Sequence, residues 1–543
     1  MRAVWGMVTA ALSMLAGCVG PAQPVQTPSS GGNPWFEYSS EHFEISSDLS
    51  PPDALSVLAE YELAYHLLER VTLRSVSGPA LKTHAIVFRT IDELHQFVGP
   101  NLGGLYCESL PDDIDGSPVT LVFGSLSPFG RTLFAHELTH RFNHLTMGSL
   151  PPWLDEGLAQ YYSTVRGTVD APIVGESDPT NVAASGSVRG SLGDLVYGGQ
   201  LIPGSTLPKA SELVRLDSQG FYTNAFEENG PPSWRDNQAR SANYASSWFL
   251  VQLMMHSGVD YAKQFRAALA TRNRDRTAGD IDALVKRVPP KELDRAFQDY
   301  LLQPLPWRQV HQRAPEVPAH TQRALSDAEV LVLWARIDRI GDAHQARAWR
   351  RLEQALKSDP KNAEASFWLG RFEEREQNFT GAEEHYLRAR ELAPHNGRYE
   401  LALMGLYQVG ATQTTWSPNA LKKRLSATVS ALERDATTGR ELTALAIYGI
   451  YEHDLDRAEL YSDRAIAVSP ECWDCLHIRA VTVYLRGDPA KAREFEERAM
   501  LQLPDDISNT IRQTLAELLE RYSRHAISPP PNGRVELPAI FFP

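Results

Sequence analysis

Cysteine is scarce: four in 543 residues are too few for a disulfide framework, so the fold must rest on packed apolar cores. The 43% hydrophobic content is ample for that in a chain long enough for several domains. No concentrated basic stretch is visible and the net charge is −14, which excludes nucleic acid as a partner. Beyond the first twenty residues no segment is long and apolar enough to span a bilayer. Cys472 and Cys475 form a CxxC pair that could close as a local disulfide in an oxidising compartment, but they read better as two small helix residues. A structural zinc site would need a second such pair, and none is present.

The N-terminus carries its own signature. Met1 and Arg2 are followed by an apolar run from Ala3 to Met14 and by Leu15, Ala16, Gly17 and Cys18. This resembles a bacterial lipoprotein signal (residues 1–17), which implies lipidation of Cys18; a plain secretory signal is the competing reading. The resemblance implies a chain anchored in the bacterial cell envelope. Val19 follows the cysteine instead of Asp, which implies the outer membrane, facing the periplasm, in a Gram-negative host. Residues 18–34 are rich in Pro, Ser, Gly and Gln, carry no charge, and read as a flexible tether.

The chemistry concentrates between Phe134 and Tyr162. His136 and His140 are four residues apart, so on a helix they project about 40° from one another, one turn apart, and can grip one cation. Glu137, about 100° around the helix, can reach a water on that cation and act as a general base. A catalytic zinc ordinarily has three protein ligands and an open position. Gly148, Pro151 and Pro152 read as a helix stop, a turn and a restart, placing Glu156 in the first turn of a second helix as the third ligand. A histidine in that role, as in HExxHxxGxxH, is excluded by Asn143 and Thr146. His144 invites a fourth-ligand reading, but a closed site would leave no place for water, so a surface or supporting role is preferred. Asp155 reads as a carboxylate favoured at a helix N-terminus. Tyr161 and Tyr162 read as core.

The segment resembles the gluzincin metallopeptidases, and more narrowly the bacterial peptidase-MA-like proteins, in its HELTH run, short loop and block from Pro151 to Tyr161. The resemblance extends over roughly residues 35–303. Phe36, Tyr38, Phe43 and Ile45 match the family's opening strand, Ala54–Arg70 its first helix, Thr83–Val98 a strand and helix, Pro118–Ser125 the edge strand before the zinc helix, and Asn243–Ser257 the long helix after it. It implies one zinc per chain on His136, His140 and Glu156, with Glu137 as catalytic base. Gln160 stands where relatives often carry an acid that orients a zinc histidine; an amide carbonyl can accept the same hydrogen bond with less effect on basicity. Tyr244 matches a position where relatives place a tyrosine, and either its hydroxyl donates to the oxyanion of the intermediate or its ring simply packs. As a sheet edge, Val119–Phe123 could hold an extended peptide by main-chain pairing; a plain core strand is the alternative. The loop-rich stretch 163–240 is a candidate rim or lid.

A Pro-rich linker, residues 304–325, divides this part from an all-helical remainder. Pro360 and Pro394 are 34 residues apart, as are Pro470 and Pro504, the period of the tetratricopeptide repeat. Small and bulky residues recur within it: Leu369, Gly370, Ala382, Tyr386 and Ala389 in one unit, Leu445, Ala446, Ala458 and Ala465 in another. Residues 397–436 form a divergent repeat, for about five units over 326–525. Stacked helix pairs leave a concave groove suited to a peptide or partner helix, or they only brace the other domain. The tail 526–543 is Pro-rich and ends in Phe541, Phe542 and Pro543.

The expected architecture is therefore an α+β zincin-like metallopeptidase domain followed by an all-α tetratricopeptide-repeat solenoid. The expected function is a membrane-anchored zinc peptidase hydrolysing envelope proteins or peptides, its repeats recruiting substrate or partner. The alternative is a non-catalytic, repeat-based assembly lipoprotein on an inactive peptidase fold.

Overall fold

A computed structural model describes residues 24–527, apart from 73–81, 99–103, 108–118, 124–127, 148–149, 176–187, 190–194, 198–199, 203–206, 223–233, 273–280, 304–314, 339–344, 414–415, 471 and 504–508. Cys18, the signal and the tail from Ser528 lie outside the described residues, and so does the side chain of His144. The chain is mostly helical, with an α/β region first and a helical repeat region after it.

The α/β region is organised by a six-stranded sheet. Its strands are β1 (Phe36–Ser39), β2 (Phe43–Ser47), β3 (Thr83–Phe88), β4 (Gly104–Cys107), β5 (Val119–Phe123) and, much later, Thr321–Ala324. Short ladders join β6 (Arg166–Thr168) to β7 (Ala171–Ile173) and link β8 (Val188–Arg189), β9 (Leu195–Tyr197) and β10 (Gln200–Ile202), which makes Thr321–Ala324 β11. The order is β11-β1-β2-β3-β5-β4, with β2, β3 and β5 parallel.

The sheet is apolar on both faces, as parallel strands require. Side-chain alternation sends Ala85, Val87 and Val122 into one core and Ile86, Phe88, Val119 and Leu121 into another. The first core is closed by α1 (Pro51–Val71), α3 (Pro128–Met147), α4 (Pro152–Tyr162) and α7 (Trp234–His256). In chain order α2 (Ile91–Val98) follows β3, and α5 (Ala210–Leu213) and α6 (Ser218–Tyr222) precede α7; α8 (Asp260–Arg272), α9 (Ile281–Lys286) and α10 (Pro290–Leu301) follow it. Two helices start where proline sets the first turn: Ser50 accepts from the backbone N–H of Asp53 before Pro51, and α4 opens on Pro152.

The second core is completed by the repeats. Five helix pairs follow β11: α11 (Asp327–Asp338) with α12 (Gln345–Ser358), α13 (Ala363–Arg375) with α14 (Phe379–Leu392), α15 (Gly397–Gln413) with α16 (Pro418–Asp435), α17 (Gly439–Tyr451) with α18 (Leu455–Val468), and α19 (Trp473–Leu485) with α20 (Pro489–Leu501). A last helix, α21 (Asn509–Ile527), closes the row. Asn362, Asn378, Thr438, Asp454 and Asp488 cap helices of these pairs. Gly370 lets α13 and α14 nest, because a Cβ there would stand 2.5 Å from the Tyr386 ring. Trp334 of α11 meets Trp35, which in turn meets Phe88 of the sheet.

Four expectations need correction. The end of the tether is not free: the Val25 amide donates to Gln96 Oε1 at 3.0 Å, Ser29 hydrogen-bonds Asp327, and Thr27 and Trp35 are buried. The linker contains β11, held to β1 by the Glu37↔Arg323 register and a two-pronged guanidinium–carboxylate contact at 2.6 and 2.8 Å. The edge strand is β4 rather than β5, which lies between β3 and β4; β4 has no β-branched run to announce it. Cys472 and Cys475 are disulfide-bonded across the first turn of α19, where Cys472 caps the helix and brings the two sulfurs together. Among the described residues no helix is long and apolar enough to cross a membrane.

Candidate metal centre

α3 and α4 meet at the site. Leu138 and Phe142 bury one face of α3, and Trp153, Leu154 and Leu158 bury α4 against the same core. On α4, Gly157 permits close approach to α7: a Cβ would fall 2.6 Å from Val251 Cγ2 and 2.7 Å from the Ser247 carbonyl. The packing aims Glu156 at α3.

Three donor atoms converge there. His136 Nε2 and His140 Nε2 are 3.2 Å apart, and Glu156 Oε2 lies 3.3 Å from the first and 3.7 Å from the second. Ligand atoms held about 2.0–2.1 Å from a tetrahedral zinc stand about 3.3–3.4 Å apart, so the triangle has the right size for that ion. Glu156 is 4% exposed and its Oε2 is buried without a hydrogen-bond partner, a costly state unless a cation completes it. The residues therefore fit zinc.

The surroundings orient these donors. Oδ2 of Asp155 takes a hydrogen bond from His140 Nδ1 at 2.7 Å, and its Oδ1 takes one from Asn143 Nδ2 at 2.7 Å. Asp155 sits in the first turn of α4, as the helix-terminus reading expects, and its carboxylate also supports the imidazole, leaving Nε2 toward Glu156 Oε2. Burial alone would lower the His140 pKa, but Asp155 and Glu156 outweigh it and hold the imidazolium up to about 10. Burial would raise the Asp155 pKa, but His140 and Asn143 carry it below the usual range. Nδ1 of His136 is buried without a hydrogen-bond partner, so the Gln160 amide does not serve it.

Glu137 is 7% exposed, and burial pushes its pKa up, opposed by both histidines. It accepts a hydrogen bond from the backbone N–H of Tyr106 on β4. Gly104 on the same strand makes room, since a Cβ there would stand 3.2 Å from Glu137 Oε1. Glu137 thus borders the sheet edge.

Tyr222, at the end of α6, donates to Glu156 Oε1 at 3.0 Å. It comes from the loop-rich stretch 163–240, and nothing in its spacing marks it; only the fold brings it to the site. Tyr244 is half-buried with its ring 5.6 Å from Phe221 and 6.3 Å from Tyr222, one ring removed from Glu156. Tyr161 and Tyr162 are buried in the core.

A family model described as tetratricopeptide repeat matches residues 341–397. The chain carries tetratricopeptide repeats. No curated protein matches it. Among solved structures, similarity extends to TTC0263, a thermophilic TPR protein of Thermus thermophilus, at 20% identity and a TM-score of 0.27 over 34% of this chain and 92% of that one. It extends also to PilW, a type IV pilus biogenesis factor, at 15% identity and a TM-score of 0.29 over 37% and 93%. A third likeness is YrrB, a TPR protein with an unusual peptide-binding site, at 13% identity and a TM-score of 0.24 over 32% and 84%.

Proposed function

We propose that the chain is a zinc-dependent peptidase of the gluzincin type whose repeats present a protein or peptide to it. The supporting observation is the convergence of His136, His140 and the unpartnered Oε2 of Glu156 on one point beside a buried Glu137. Bound there, zinc would supply Lewis-acid polarisation of the scissile carbonyl and acidify water. Glu137, its basicity raised by burial, takes the water proton and delivers it to the leaving amine. Asp155 orients the His140 ring through Nδ1 so that Nε2 faces Glu156, and Tyr222 holds one oxygen of Glu156 so that the other would face the ion. One zinc at this centre and lipidation at Cys18 in a bacterial envelope complete the proposal.

Metal analysis and a peptide-library digest test it. Glu137→Gln should keep the zinc held by His136, His140 and Glu156 and lose hydrolysis by about 10²–10⁴-fold. Unchanged turnover in that variant rejects the mechanism.

The second reading is a repeat-based interaction or assembly protein in which the α/β region is a platform. The family match to residues 341–397 favours it, since that match falls within the repeats. Stacked repeats commonly bind peptides or partner helices. A zinc-loaded wild type inert across diverse peptides, yet retaining a protein partner through 326–525, would select this reading.

A further inference from the structure

A second group of side chains that could hold a metal lies where the β1–β2 turn meets α1: His42 in the turn with Glu62 and His66 of α1. One ligand atom from each lies within 4.8 Å of the others. Glu62 and His66 are four residues apart on α1, so they share a face and reach toward the same turn.

The group offers the same ligand types as the first centre, two imidazoles and one carboxylate, but here the carboxylate oxygen is already hydrogen-bonded to an imidazole. There, Tyr222 holds Oε1 of Glu156 and Oε2 faces the imidazoles. Here, Oε1 of Glu62 accepts from Ser40 Oγ at 2.6 Å and from the His42 backbone N–H at 3.0 Å, which leaves Oε2 facing His42 Nδ1 at 2.6 Å. Glu62 is 5% exposed, so the carboxylate is fixed before any ion arrives. The His42 ring is fixed too, stacked on Tyr65 at 3.8 Å. Two further carboxylates stand behind the rings, Glu41 Oε1 at 4.0 Å from His42 Nε2 and Glu69 Oε2 at 3.9 Å from His66 Nδ1. Both stand beyond hydrogen-bond distance; the contact with Glu62 makes Nδ1 the inner donor of the His42 ring.

We propose that His42, Glu62 and His66 form a second site for a borderline divalent cation, with Zn²⁺ as the occupant. Binding exchanges the proton shared by His42 Nδ1 and Glu62 Oε2 for the ion and requires only a swing of His66, whose side chain is 40% exposed. The ion clasps the β1–β2 turn to α1. Tyr65, beneath His42, meets Phe142 of the metal-bearing helix at 5.1 Å between ring centres, so the clasp braces α1 where it supports α3. The site is independent of the peptidase reading, because none of its ligands belongs to the first centre.

The test uses the full chain stripped with chelator and titrated with Zn²⁺ alone. In the His136→Ala/His140→Ala background, one equivalent of zinc should still bind at micromolar concentration and raise the melting temperature. Adding His66→Ala should weaken that equivalent by about 10-fold or more, on the order expected for a lost ligand. Circular dichroism checks that the fold is kept, and Glu62→Gln, which keeps an acceptor for Ser40, provides a second variant. Absence of zinc from the background variant overturns the site. Zinc that binds there unaffected by either His66→Ala or Glu62→Gln overturns it equally.

Discussion

Asp155 and His140 are joined at the end of the imidazole that points away from Glu156: Asp155 Oδ2 lies 2.7 Å from Nδ1, while Glu156 Oε2 faces Nε2 at 3.7 Å. Adjacent carboxylates on α4 thereby address opposite nitrogens of one ring. Asp155→Asn keeps a weak acceptor but removes the charge that supports ligand basicity. Zinc affinity, measured by competition with a chromophoric chelator, should fall about tenfold in Asp155→Asn and up to about 100-fold in Asp155→Ala.

Tyr222 makes the loop-rich stretch part of the centre. Tyr222→Phe removes the hydroxyl that donates to Glu156 Oε1 and keeps the ring. The expected loss is about 1.5 kcal/mol, read as a roughly tenfold weaker zinc equilibrium with little change in melting temperature of the metal-free protein. An unchanged zinc affinity would show that Glu156 is held by packing alone.

Gly157 is a packing requirement next to Glu156. In Gly157→Ala the new Cβ meets Val251 at 2.6 Å and the Ser247 carbonyl at 2.7 Å, so α4 and α7 must part. Denaturant unfolding should show a loss of about 1–3 kcal/mol, accompanied by weaker zinc binding as Glu156 moves with α4.

Asp48 supplies a pH dependence away from the centre. It is 6% exposed, and burial raises its pKa to about 6 despite hydrogen bonds from Asn33 and the Arg89 amide. The folded state thus holds a proton that the unfolded state releases near pH 4. Between about pH 4 and pH 6 the folded form binds more protons, so this group makes stability fall as pH rises, and the loss is complete above pH 6. Asp48→Asn should remove that loss, raising stability at pH 7 relative to wild type by on the order of 1–3 kcal/mol, with little difference at pH 4. Chemical denaturation at the two pH values measures it.

Much of the architecture was legible because its causes are local. Proline recurring at 34-residue intervals marks the helix pairs, because proline cannot continue a helix, and Gly370 and Tyr386 fall where one helix nests on the next. His136, Glu137 and His140 were legible for the same reason: the turn of a helix sets their spacing. Glu156 was read through a helix restart at Pro152, again a local signal. β4 had none, being four residues opened by a glycine and stabilised by pairing with β5.

By itself the sequence determined helix periods, caps and stops, and with them which donors could share a face, since those follow from backbone geometry over a few residues. Only the tertiary structure decided that Tyr222 reaches Glu156 from 66 residues away, that β11 returns to β1, and that the first repeats cover the back of the sheet. Those choices depend on burying apolar surface between distant segments, and that free energy belongs to the assembled core and to no window of the chain.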